Sequence, residues 1–194
     1  MRSRLGITGS PGTGKKTLAP LVASLLSYSL LDLNVAARGY SKLTYGNVLE
    51  IDTERLGRKV AGLVVPECVV FGHLLPHVIG RHGIDFVAVL RCEPTALKKR
   101  LLARGYRGEK LTQNLEAELI GVVLDECIHS FGESKVREYD STKEDPDRLA
   151  EMIATDYRGR ARHAGEWIDW TRGYTSSARL RSLLSFARAD PAST

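Results

Sequence analysis

Gly9-Ser10-Pro11-Gly12-Thr13-Gly14-Lys15 is the stretch whose reading decides the fold. Glycines at 9, 12 and 14 let the backbone wrap closely around phosphate oxygens. Successive N–H groups in such a loop form an anion nest, and a following helix adds its positive N-terminal end. Lys15 supplies a point charge for the β- and γ-phosphates of a purine nucleoside triphosphate. The flanks complete the pattern. Residues 4–8 (Arg-Leu-Gly-Ile-Thr) read as a short buried strand. Residues 15–31 read as a helix, apolar at Leu18, Leu21, Val22, Leu25 and Leu26, with Pro20 in its early part. Strand before and helix after distinguish a phosphate-binding loop from a glycine turn that happens to contain lysine.

Outward from the loop, strands alternate with helices. Residues 68–71, 84–90 and 136–139 are further short buried strands. Residues 52–63, 94–103, 111–131 and 145–157 are helices, the last opened by Asp145-Pro146. Residues 34–50 show little periodicity and read as a variable insertion; residues 104–110 are glycine-containing and charged. Alternation of this kind implies a parallel sheet covered on both faces. Right-handed crossovers then bring the loops after the strands to one sheet edge, where ligands bind.

The 194 residues suit a single domain with a real core, and 43% hydrophobic with 26% charged residues is ordinary for a globular protein. No apolar run approaches the ~20 residues that span a bilayer, and the start of the chain lacks a signal-peptide pattern, so a cytoplasmic, membrane-free protein is expected. Cys68, Cys92 and Cys127 include no Cys-x-x-Cys pair, which argues against a disulfide framework, and the first two, in or beside apolar runs, read as small core residues. The net charge is +5. Beyond Tyr157, seven arginines (158, 160, 162, 172, 179, 181, 188) stand against three acids (Glu166, Asp169, Asp190). Two readings fit this extension: an anionic partner such as RNA, or the solvated face of a helix.

One loop position departs from the motif. The residue after the lysine is normally Ser or Thr, whose hydroxyl coordinates Mg²⁺. Here it is Lys16, with Thr17 one further on. An ammonium has no lone pair for a metal. Either Thr17 takes over or the metal subsite is weakened.

The loop Gly9–Lys15 resembles the Gly-Thr-Pro-Gly-x-Gly-Lys loop of the adenylate kinase isoenzyme 6 family, including its archaeal members. Residues 86–91 (Phe-Val-Ala-Val-Leu-Arg), Leu101, Arg104-Gly105-Tyr106, residues 110–114 (Lys-Leu-Thr-Gln-Asn) and residues 116–119 (Glu-Ala-Glu-Leu) are similar to that family's strand, lid and following helix. Ile168-Asp169-Trp170 resembles a tail motif of the archaeal proteins. The resemblance implies a P-loop nucleoside monophosphate kinase fold with a five-stranded parallel sheet. In this sequence the monophosphate-binding segment would be about 34–56, the lid about 103–113 and the basic extension about 158–194. It implies phosphate transfer between ATP and AMP or another monophosphate, an ATPase activity, and a role in small-ribosomal-subunit maturation through a platform ribosomal protein.

Carried over residue by residue, the resemblance gives ATP contacts at Gly12, Gly14, Lys15, Lys16 through its backbone, and Thr17. Arg104 becomes the lid arginine that stabilises the transferring phosphoryl group. Lys143 becomes a base-side contact, and Arg38 a holder of the acceptor phosphate. For Arg38 and Lys143 a plain surface charge is an equal reading.

The family's second strand ends in Asp-x-His. Here residues 69–73 (Val-Val-Phe-Gly-His) keep His73 but carry Phe71 at the aspartate position. That carboxylate would hold the Mg²⁺ shell. Lys16 and Phe71 therefore deplete the metal site together. Mg²⁺ would then ride on nucleotide phosphates and water, or Lys16 would supply charge in its place. His73 is a candidate for positioning the attacking group. His73 and His77 are four apart on an expected helix; no third zinc ligand accompanies them, and His77 reads more simply as a capping or core residue.

Overall fold

The computed structural model describes residues 3–43, 49–159 and 166–184. Its central strand is β1 (Arg4–Gly9), buried from Leu5 to Gly9. The loop 10–14 follows, then α1 (Lys15–Leu26), β2 (Ser29–Asp32) and α2 (Leu33–Ala36). The short antiparallel pair β3 (Ser41–Leu43) and β4 (Leu49–Ile51) precedes α3 (Thr53–Ala61), β5 (Cys68–Phe71) and α4 (Leu75–Val78). Next come β6 (Phe86–Arg91), α5 (Pro94–Ala103), α6 (Gly108–Ile120) and α7 (Val122–Phe131). The chain continues with β7 (Val136–Asp140), α8 (Pro146–Gly159) and α9 (Ser177–Leu184).

The main sheet has five parallel strands in the order β2-β5-β1-β6-β7. Ile7 stands between Phe71 and Ala88 in register, so β1 lies in the middle and delivers the glycine loop at the carboxyl edge. Strands buried on both faces read as continuous apolar runs, which is why β5 and β6 are legible. One face is covered by α3, α4 and α7 through Leu56, Leu75, Val78, Leu124, Cys127 and Phe131. The other is covered by α1 and α8 through Leu18, Val22, Ala150 and Ile153. A third cluster, Leu97, Leu101, Leu111, Leu115 and Leu183, joins α5, α6 and α9 beyond the sheet edge. All three cysteines are free and buried, as expected of core residues. No helix among the described residues is long and apolar enough to cross a membrane.

The structure corrects four local expectations. The helix expected over 15–31 ends at Leu26. Ser27 turns left-handed (φ 58°, ψ 39°), and its N–H together with that of Tyr28 closes the helix end on Ala23 and Ser24 carbonyls. The apolar residues that follow, Leu30 and Leu31, pair with Val69 and Val70 of β5 as a fifth strand. The stretch 34–50, expected to show little periodicity, overlaps α2 and the β3–β4 pair. The single helix expected over 111–131 is broken at Gly121, whose φ of 75° a residue with a side chain rarely adopts. His73 precedes α4, so it does not share a helix with His77.

Candidate active site

Lys15 opens α1 and is 9% exposed. Its ammonium donates to the Gly9 carbonyl at 2.6 Å and to the Ser10 carbonyl at 2.9 Å. The Ser10 carbonyl also accepts from the Thr13 hydroxyl at 2.9 Å. The loop is thus closed upon itself, with the lysine bridging its first residues. Gly12 needs its missing side chain: at φ 91°, an added Cβ would sit 2.7 Å from Leu97 Cδ1. No acidic side chain lies in the first turn of α1 to compete with an anion for the helix N-terminus. Burial pulls the Lys15 pKa from 10.5 to about 7; the Glu118 carboxylate opposes the shift and the Arg104 guanidinium adds to it.

A cleft of about 910 Å³ opens over the loop. Gly12, Gly14, Lys15, Lys16 and Thr17 line its phosphate end, with Phe71 and His73 from the turn after β5 and Arg104 from the end of α5. Farther out it is walled by Asn34, His77, Tyr106, Lys110, Asn114 and Glu126. His77 Nε2 stands 3.4 Å from a Glu126 carboxylate oxygen, a surface pair rather than a core or capping role. His73 is held below the ordinary imidazole pKa by desolvation, then by the charges of Lys15 and His77. The neutral ring is therefore favoured, which can accept a proton.

A second cavity, of about 320 Å³, adjoins the loop on its other side. Gly12, Gly14, Thr17 and Arg104 line it too, together with Arg100, Ser141, Glu144 and Pro146. Arg100 donates to the Ser141 and Thr142 carbonyls at 2.8 and 3.0 Å, tying α5 to the turn after β7. Arg104 therefore stands at the junction of both cavities. Lys143 is exposed on that same turn, between two lining residues, but does not itself line the cavity. Arg38 is exposed in the turn after α2 and lines neither cavity. The structure thus gathers Gly12, Gly14, Lys15, Lys16, Thr17, His73 and Arg104, and leaves Arg38 and Lys143 outside.

The donor set does not fit a protein-held Mg²⁺. Phe71 is 4% exposed and offers no lone pair, Lys16 is a cation, and Thr17 contributes one hydroxyl. Asp32, which pairs with Phe71 in register, is engaged as the cap of α2, accepting from the Asn34 N–H at 2.8 Å. Among the described residues, no group of three or more His, Cys, Asp or Glu could hold a metal ion.

Sequence reasoning singled out the loop but not what supports it. Glu118, 1% exposed on α6, accepts the Ser10 hydroxyl at 2.6 Å. In the sequence it is one acidic residue of an amphipathic helix, and nothing marks it as a partner of a loop 108 positions away.

A central parallel sheet, a glycine loop closing on a buried lysine, and a cleft lined by Arg104 together define a phosphate-binding-loop protein of the kinase type. The chain belongs to the family of archaeal proteins that bear the name "Putative adenylate kinase". It is 35% identical to the one from Thermococcus kodakarensis over 88% of this chain and 94% of that protein. It is 31% identical to the one from Thermococcus onnurineus over 88% and 92%. Residues 5–121 also match the AAA domain family. Among solved structures, shikimate kinase from Acinetobacter baumannii in complex with shikimate superposes with a TM-score of 0.60 over 82% of this chain and 94% of that one. At 14% identity this likeness supports the fold alone.

Proposed function

We propose that the protein is a broad-specificity nucleoside monophosphate kinase that converts ATP and AMP to two ADP, with a secondary ATPase activity. The observation that carries this reading is the cleft that Lys15 and Arg104 both line over the phosphate loop, close enough for Arg104 to depress the Lys15 pKa. ATP would lie with its triphosphate on Gly12–Lys15 and its base toward the cavity beside Ser141, Glu144 and Lys143. The acceptor would enter past Asn34, His77 and Glu126, with Arg38 as a holder of its phosphate. An oxygen of the acceptor phosphate bonds to the γ-phosphorus as the bond to the β–γ bridging oxygen breaks, and ADP leaves. Two cations concentrate positive charge where the transferring group is most negative. His73 orients the acceptor, or a water in the ATPase reaction.

The resemblance extends the proposal to a role in small-subunit maturation with a platform ribosomal protein and, through the basic extension, rRNA. In support, the extension carries seven arginines. Of the described ones, Arg172 pairs with Glu166 and Asp169, and Arg158 donates to the Leu25 carbonyl. Phe71 favours a second reading, a nucleotide-binding assembly factor with little turnover.

Transfer of label from γ-labelled ATP to a panel of monophosphates tests the first reading. It predicts labelled diphosphate, most with AMP. Label recovered only as inorganic phosphate, whatever the monophosphate, would refute it.

A further inference from the structure

We propose that Glu118 positions the phosphate loop through Ser10, and that Ile168 and Trp170 set that position from outside the nucleotide site. The proposal rests on the nucleotide reading above.

Glu118 is the hub of a buried polar network. Its Oε2 accepts from the Ser10 hydroxyl at 2.6 Å. Its Oε1 accepts from Arg91 Nε at 2.9 Å, the Cys92 N–H at 3.0 Å and the Trp170 indole N–H at 3.3 Å. Arg91, 2% exposed, donates further to Glu138 at 2.9 Å, to the Glu118 carbonyl at 2.9 Å and to the Ile168 carbonyl at 3.2 Å. The Ile168 N–H donates back to the second oxygen of Glu138. Residues 168–170 are thus gripped by Glu118, Glu138 and Arg91, and of these Glu118 also holds Ser10.

Ser10 is the relevant end of that chain. Its carbonyl is one of the two that hold the Lys15 ammonium. Its hydroxyl is committed to Glu118, which fixes this residue of the loop in place. Trp170, Glu118, Ser10 and Lys15 therefore form one unbroken path of hydrogen bonds, in which a change at one end is felt at the other. The tail is anchored independently by the Lys98 ammonium, which donates to the Ser182 and Leu183 carbonyls at 2.8 and 2.6 Å. Leu183 is buried against α5 and α6. Trp170 can therefore lose its one bond to Glu118 while the rest of the tail stays docked. A network that served folding alone would need the tail and Arg91, but not the loop serine. Coupling of this kind is reciprocal: whatever displaces Trp170 weakens ATP binding, and ATP tightens Trp170.

The test is an ATP-affinity cycle on the full chain, with the melting temperature of each variant measured alongside. Trp170→Phe keeps an aromatic ring and removes only the indole N–H. It is expected to weaken ATP binding about 3- to 10-fold, the scale of one net hydrogen bond. In a Ser10→Ala background the same change should have less than about a twofold effect, because the path is already cut. An unchanged affinity in Trp170→Phe, or a loss that persists in full with Ser10→Ala, overturns the proposal even if melting temperatures fall. Should the variants fail to fold, hydrogen exchange of the wild-type chain decides. Amides of residues 168–174 should gain protection on adding ATP, and unchanged protection overturns the coupling. A wild-type chain that does not bind ATP overturns the nucleotide reading and this proposal with it. Binding without coupling overturns this proposal alone.

Discussion

The Lys15 ammonium rests 2.6 Å from the Gly9 carbonyl, so the lysine that should meet a phosphate is held by the loop's own backbone. Nucleotide binding must exchange that bond for phosphate oxygens. Burial keeps the Lys15 pKa near 7 in the free protein. A bound triphosphate stabilises the ammonium and raises that value, so binding takes up a proton where the free lysine is neutral. ATP affinity should therefore fall as pH rises from 7 to 9, and calorimetry at pH 8 in two buffers of different ionisation heat should show net proton uptake. Affinity that rises over this range contradicts the assignment. The same depression has a stability consequence of defined sign. The unfolded lysine, near 10.5, binds more protons than the folded one, so this group makes the free protein more stable as pH rises from about 7 to 10.5.

Arg104 stands where both cavities meet. Arg104→Ala should lower kcat by about 10²- to 10³-fold, the usual cost of removing one charge-stabilising donor. ATP affinity should change only a few-fold. Steady-state kinetics beside direct binding separates the two. A loss confined to affinity would make Arg104 a binding residue and not a stabiliser of the transferring phosphoryl group.

Phe71 occupies the strand end where a metal-holding carboxylate would be expected and is 4% exposed in the core. Phe71→Asp should cost stability on the scale of about 3–5 kcal/mol, as for loss of a buried aromatic side chain. Mg²⁺ should then raise its melting temperature clearly more than it raises that of the wild type. Equal shifts in the two proteins would show that the wild-type site holds the ion without this carboxylate.

Thr8, fully buried just before the loop, has a hydroxyl with no hydrogen-bond partner among the described residues. Thr8→Val removes an unsatisfied group at nearly constant volume and should stabilise the protein by roughly 1 kcal/mol. A destabilised variant would mean that the hydroxyl is satisfied by a bound water.

The sequence made the loop, four of the five sheet strands and the helices around them legible, because each is a local pattern. An apolar run marks β5 and β6, and glycines at fixed spacing mark the loop. It hid β2. Leu30 and Leu31 continue the apolar spacing of α1, and the turn that separates them uses Ser27 in place of a glycine. Only the pairing with β5 reveals the strand, and that contact is non-local. Gly121 was visible as a glycine, but its helix-breaking φ was not. The loop side of the site could be read residue by residue. Its support could not: Glu118 meets Ser10, and Arg91 and Trp170 meet Glu118, only after α6 and the tail have packed across the sheet edge. Arg38 is legible only by resemblance, and it is exposed, outside both cavities.

The most direct measurement is the rate of ADP formation from ATP, with and without AMP, across a Mg²⁺ titration that ends in chelator. A nucleoside monophosphate kinase gives a rate that AMP raises many-fold, with two ADP formed per ATP consumed. Tight ATP binding with a slow rate that AMP does not change contradicts it, and leaves a nucleotide-binding protein that has lost phosphoryl transfer.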